Sequence, residues 1–238
     1  MNFSEITKEY KYRTELHAHS FPVSKCGKFS SDEVVRIYAA EGCNALVLTN
    51  HLTEKLLIDR TVEEATDFYL SDYYKAKKAG EELGVNVIFG VEIRFSGTSN
   101  DYLIYGVSPD DVPTLLEFCQ QDLETFYKGF KKENNVILHA HPFRSNMEPT
   151  PLGSVDGIET LNLHPGHNSK IGFAAKFARQ HKLTVCGGSD FHEEGRHALC
   201  FARTKELPKD SHDIAKAILS NEMIYDLSGH IVIPYLYD

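Results

Sequence analysis

Five short segments carry side chains that could hold divalent metal ions: His17-x-His19, Asn50-His51, Glu92, His139-x-His141 and Asp190-x-His192. Imidazole and carboxylate are donors that zinc, manganese and iron accept. Residues two apart share one face of an extended strand, so both members of each pair can reach one ion. Glu92 offers two oxygens and can bridge two ions about 3.5–4 Å apart, as two-metal hydrolase sites require. Such a centre lowers the pKa of a bound water toward neutrality and so supplies a nucleophile for hydrolysis. Arginines near these segments are candidates to clamp a phosphate: Arg144 just past His141, Arg94 two after Glu92, and Arg196 past His192. Asp190, His192 and Arg144 are the candidates for the catalytic step. His164 and His167 are candidates for the substrate cleft, with Glu159 and Asn162 as groups that orient ligands.

Those side chains need a scaffold that brings five distant segments together. Ala45–Thr49, Asn86–Gly90, Tyr102–Val107, Asn135–His139, Gly157–Leu161 and Leu183–Gly187 read as strands. Helical patterns fall between them. Ser30-x-x-Glu33 is a capping box with Gly42 at the far end, and Thr61–Leu83, Val112–Lys132, Ser169–His181 and Ser211–Leu219 follow. Alternating strands and helices predict a parallel sheet with right-handed crossovers. A (β/α) barrel is the leading architecture and a doubly wound open sheet the runner-up. In a barrel, catalytic groups sit at the C-terminal ends of the strands, where these segments lie. No GxGxxG follows a strand, so a dinucleotide fold has no support.

The chain has 238 residues and a net charge of −9, with twelve His. The acidic balance disfavours a general nucleic-acid surface, which needs many Lys/Arg contacts, but leaves room for a local basic pocket or a short nucleotide. No run reaches the roughly 18–20 apolar residues that span a bilayer, and the first residues lack a signal-peptide core. Five scattered Cys with no CxxC argue against a disulfide framework and suggest a reduced, cytoplasmic setting. With no obvious linker, residues 1–238 read as one domain.

As an ordered set, the five segments resemble the PHP (polymerase and histidinol phosphatase) family, from about residue 12 to about residue 225. The resemblance implies a distorted (β/α)7 TIM-like barrel, two or three divalent ions (Zn, Mn or Fe) and hydrolysis of a small phosphorylated substrate. It places His17, His19, Glu92 and Asp190 on a first ion, His141 with Glu92 on a second, and His51 and His192 on a further one. The chain departs from the family pattern at three places. Asn50 stands where Asp is usual. Cys26, in Ser24-Lys25-Cys26-Gly27, stands where a His or Asp often completes the further site, and a thiolate is a good ligand there. Ser108 falls where a His often serves the second ion, with His139 or Asp101 as substitutes. An amidohydrolase-type enzyme, which also opens on HxH and closes on Asp, is the rival reading. A non-catalytic binding module, motivated by Asn50 and Ser108, is another.

Overall fold

The computed structural model describes residues 3–193, 195 and 197–234. The strands are β1 (Tyr12–Ala18), β2 (Ala45–Leu48), β3 (His51–Leu52), β4 (Asn86–Phe89), β5 (Val91–Arg94), β6 (Asp101–Tyr105), β7 (Val136–His139), β8 (Gly157–Asn162), β9 (Thr184–Gly188), β10 (Phe201–Thr204), β11 (Ile224–Leu227) and β12 (His230–Val232). The helices are α1 (Phe3–Glu9), α2 (Ser31–Ala40), α3 (Val62–Leu83), α4 (Val112–Phe118), α5 (Leu123–Phe130), α6 (Ile171–His181) and α7 (Ser211–Leu219). Among the described residues, no helix is long and apolar enough to cross a membrane.

The strands form two six-stranded sheets, β12-β11-β10-β1-β2-β4 and β3-β5-β6-β7-β8-β9. The fold is therefore mixed α/β, not one closed ring of parallel strands. Parallel pairing links β1, β2 and β4, and also β7, β8 and β9. β6 runs antiparallel to both β5 and β7, and β10 antiparallel to β1. The reason at β5–β6 is length: residues 95–100 suffice for a reversal but not for a crossover, which takes a dozen or more residues. The two sheets meet at two seams. At one, the chain passes from β4 through Gly90 into β5, and a Cβ on Gly90 would come within 2.6 Å of a Val47 methyl. At the other, Phe191 bridges to Ala18, its N–H donating to the His17 carbonyl at 3.1 Å. There a Cβ on Gly188 would overlap that of His17, so only glycine lets β9 run this close to β1.

The burial pattern explains why the inner strands read as unbroken apolar runs. Along β2, Ala45 and Val47 pack with Leu16, Ile88, Leu103 and Tyr105, whereas Leu46 and Leu48 pack with Val34, Tyr38 and Tyr73 beneath α2 and α3. Alternate side chains thus enter two different cores, and both must be apolar. The capping box before α2 forms, the Ser30 N–H donating to Glu33 at 2.9 Å. The Val112–Lys132 pattern is not one helix. It breaks into α4 and α5, because Asp122 caps a new start by accepting from the Thr125 N–H at 2.9 Å.

Candidate metal centre

β1 ends the site's first wall. His17 and His19 point the same way, as their spacing requires, and their Nε2 atoms approach to 3.1 Å. Each ring is turned by its other nitrogen. His17 Nδ1 meets Glu159 Oε1 at 2.8 Å, and His19 Nδ1 meets Ser24 Oγ at 3.2 Å. Glu159 is itself held, its Oε2 accepting from the His141 N–H at 3.0 Å and the Asn162 amide at 2.9 Å. Carboxylate–imidazole pairs of this kind fix ring orientation in metal sites.

The other segments converge on the same point. Asp190 Oδ1 lies 3.4 Å from His17 Nε2 and 3.3 Å from His19 Nε2. Glu92 Oε1 lies 3.3 Å from His17 Nε2 and 3.1 Å from His141 Nε2, and its Oε2 lies 2.9 Å from His51 Nδ1. The ring of His192 stacks 4.6 Å from that of His19, its Nδ1 2.8 Å from the Asp190 carbonyl. His141 and Asp190 both adopt left-handed backbone angles, φ +34° and +52°. For His141 that turn is a strained one, of a sort that clusters at functional sites.

Buried charge is arranged in alternation. Burial opposes the charged form of His17, but Glu159, Asp190 and Glu92 outweigh it and raise its pKa well above the usual imidazole value. The same contest, won by Glu92, raises His51. His19 goes the other way, pushed well down by burial and by His51. Burial disfavours ionised Glu92 and Asp190, yet their imidazole neighbours hold both well below the carboxylate range.

This donor set fits divalent metal. Four overlapping groups of three donors each lie within 4.8 Å of one another: His17–His19–Asp190, His17–Glu92–His141, His19–His51–His192 and His51–Glu92–Asp101. Buried His141 Nδ1 has no hydrogen-bond partner, and Glu92 Oε2 and His51 Nδ1 face each other at 2.9 Å without hydrogen-bond geometry. With His17 Nδ1 turned to Glu159, its Nε2 faces that of His19 at 3.1 Å, so either a proton or a metal cation must lie between them.

The remaining sequence candidates separate. Arg144 reaches the centre, its Nη2 donating to Asp190 and, at 2.5 Å, to Asn162. Arg94 grips Asp101 with two bonds of 2.7 and 2.6 Å, so its guanidinium is already paired. His164 stands 5.1 Å from the His192 ring, its pKa lowered to about 4 by burial. Cys26 is exposed, and although burial of its sulfur opposes ionisation, contacts with His192 and His51 lower the thiol to about 6. Arg196 lies outside the described residues. His139 shares the HxH spacing but does not join: its Nδ1 bonds Thr150 Oγ1 at 2.9 Å and its ring packs on Tyr102. The turn at His141 breaks the extended alternation the pairing assumed. Ser108 caps a short turn, its hydroxyl donating to Asp111 at 3.0 Å, and Asp101 takes the place beside His51 and Glu92.

Asn50 is not a donor to the centre. Its Oδ1 accepts from the Ser20 N–H and the Ser24 hydroxyl, both at 2.8 Å, while its Nδ2 donates to Asp72 at 2.9 Å. An Asp there would face buried Asp72 without a proton to give. Ser24 then accepts from the His51 N–H at 2.9 Å, tying the Cys26 loop to β3. Sequence reasoning missed Ser20, Ser24 and Asp72; the amide at position 50 was the one sign that a carboxylate lay opposite.

No family model matches the chain, and no curated protein matches it by sequence. Solved structures do. One is a two-domain protein from Bacteroides vulgatus, described as containing a predicted PHP-like metal-dependent phosphoesterase, at 21% identity and TM-score 0.64. The chain shares its fold with this PHP-like protein. The alignment covers 90% of this chain but 64% of that one, so the chain spans less than two thirds of the PHP-like protein. PsfC from Pseudomonas syringae is similar over 86% of this chain and 87% of its own, at 13% identity and TM-score 0.60. An amidohydrolase from Chromobacterium violaceum, with bound sulfate and no metal, aligns over 93% of this chain and 98% of its own, at 17% identity and TM-score 0.54.

Proposed function

We propose that the chain is a metal-dependent phosphoesterase acting on a small phosphomonoester or phosphodiester. The convergence of His17, His19, Glu92, His141 and Asp190 on one buried point, with donor atoms facing one another, carries this reading. On it, the two sheets are the halves of a distorted (β/α)7 barrel. His17, His19, Glu92 and Asp190 would hold one ion, Glu92 and His141 a second, and His51, His192 and Cys26 a further one. Zinc, manganese or iron suits these donors. Divalent ions there would supply Lewis acidity toward water and toward the phosphoryl oxygens.

The chain's own residues do the positioning. Glu159 and Asn162 hold His17, the His141 backbone and Arg144 in register. Arg144 lines the cavity of about 380 Å³ beside the metal cluster, and with Nε and Nη2 engaged by Ser169, Asn162 and Asp190 it can offer Nη1 to phosphoryl oxygens. His167 lines that cavity, and His164, kept neutral by burial, stands 5.1 Å from the His192 ring.

The test is metal analysis of protein purified without chelator, with turnover assays on phosphoesters, amides and lactones. At least two ions per chain and phosphoester turnover abolished by His17→Ala or Asp190→Ala are expected. Turnover of amides or lactones with none of phosphoesters favours the amidohydrolase reading. No bound metal overturns both.

A further inference from the structure

A second cleft, of about 310 Å³, opens beside the metal centre and shares Cys26, His51 and Arg94 with the cavity there. Its outer wall is basic. Lys25, Lys55 and Arg60 line it, and among the described residues none forms an ion pair with a carboxylate. Asp101 holds Arg94, and Glu64, which accepts from the Thr61 N–H at 2.8 Å, feels the Arg60 charge without forming an ion pair with it. The inner wall is apolar, formed by Val23, Leu56 and Phe68. Arg60 is held in place there, its guanidinium 4.5 Å over the Phe68 ring and its Nη1 donating to the Leu56 carbonyl at 3.4 Å.

Three unpaired cations on one rim are notable in a chain of net charge −9. Like charges gathered without a partner repel, and a bound anion relieves that repulsion. Buried apolar side chains line the same cleft as the exposed cations, and the cleft shares Cys26 and His51 with the metal centre. We infer that the substrate carries a second anionic group, a phosphate or a carboxylate, joined to its scissile phosphoester by an apolar spacer. The ester lies at the metal centre, the spacer along Val23, Leu56 and Phe68, and the second anion against Lys25, Lys55 and Arg60. This inference rests on the phosphoesterase reading and names its substrate class.

Alkyl phosphates of graded length ending in methyl, carboxylate or phosphate test it on the metal-loaded protein. The best anion-ended ester should exceed its methyl-ended counterpart in kcat/KM by about tenfold or more, the scale of one well-placed charge contact. The carboxylate and phosphate arms identify the preferred anion. In the Lys25→Ala, Lys55→Ala, Arg60→Ala triple variant the preference should fall to near unity, whereas Lys209→Ala, on a separate cavity, should keep it. A wild-type preference below about twofold, or one that survives the triple variant, overturns the inference and leaves the phosphoesterase reading intact. If no ester is turned over, that reading fails, and the same ratio, measured as Kd for the matching phosphonates, decides the inference on its own.

Discussion

The two halves of the metal centre are built differently. On the β1–β9 side, His17, His19 and Asp190 are sealed, with side chains 0–1% exposed, and cross-braced by Glu159, Asn162 and Arg144. On the β3–β5–β6 side, His51 is 25% exposed, Asp101 is already neutralised by Arg94, and Cys26 lies at the surface. The sealed half takes its shape from strand geometry and buried carboxylates. The open half hangs on a loop, residues 20–26, pinned through Asn50 and Ser24. A sealed, braced set of donors loses little entropy on binding an ion, while an exposed one must be ordered and competes with water. Ions on the β1–β9 side should therefore hold more tightly than those on the open side.

Glu159→Ala strikes the sealed half hardest. Removing the carboxylate that orients His17 should weaken metal affinity and turnover by about 10–100-fold, the usual cost of losing such a partner. Competition with a chromophoric chelator measures it, and an unchanged affinity would show that the bracing does not matter. Asn50→Asp strikes the open half without touching a donor atom. It places a second carboxylate against Asp72 and should cost about 1–3 kcal/mol in denaturant unfolding. The double variant Asn50→Asp, Asp72→Asn should recover most of that; failure to recover would mean the hydrogen-bond complementarity is not what selects the amide.

The smallest effect concerns protons, and it compares the halves directly. His17 on the sealed side and His51 on the open side both have pKa values raised by their carboxylate neighbours. In metal-free protein at neutral pH both rings hold a proton, and each must lose it to act as a ligand. Ion binding should therefore release about one to two protons per chain and weaken as pH falls. Calorimetry in buffers of different ionisation enthalpy counts them. In His51→Gln, protein that binds only at the sealed half should release fewer.

Much of the centre was legible because its donors sit two apart on strands, where the period of the backbone sets which side chains meet. His17 and His19 follow that rule. His139 and His141 share the spacing and part company, because a left-handed turn at His141 swings one ring inward while the other packs on Tyr102. The inner strands were legible as apolar runs since both faces are buried, but their directions were not. The short 95–100 connection forces an antiparallel pair within what reads as a parallel alternation.

The amino-acid sequence by itself determined the donor types, their order along the chain and the strand-and-helix alternation that carries them, since these follow from side-chain chemistry and local periodicity. Tertiary structure alone decided which donors meet. It put Asp101 rather than Ser108 beside His51 and Glu92, spent Arg94 on Asp101 while bringing Arg144 to Asp190, and set Asn50 opposite Asp72. It also gathered Lys25, Lys55 and Arg60 around one cleft. Contacts between residues far apart in the chain depend on strand direction, seam position and backbone turns, and local pattern does not encode these.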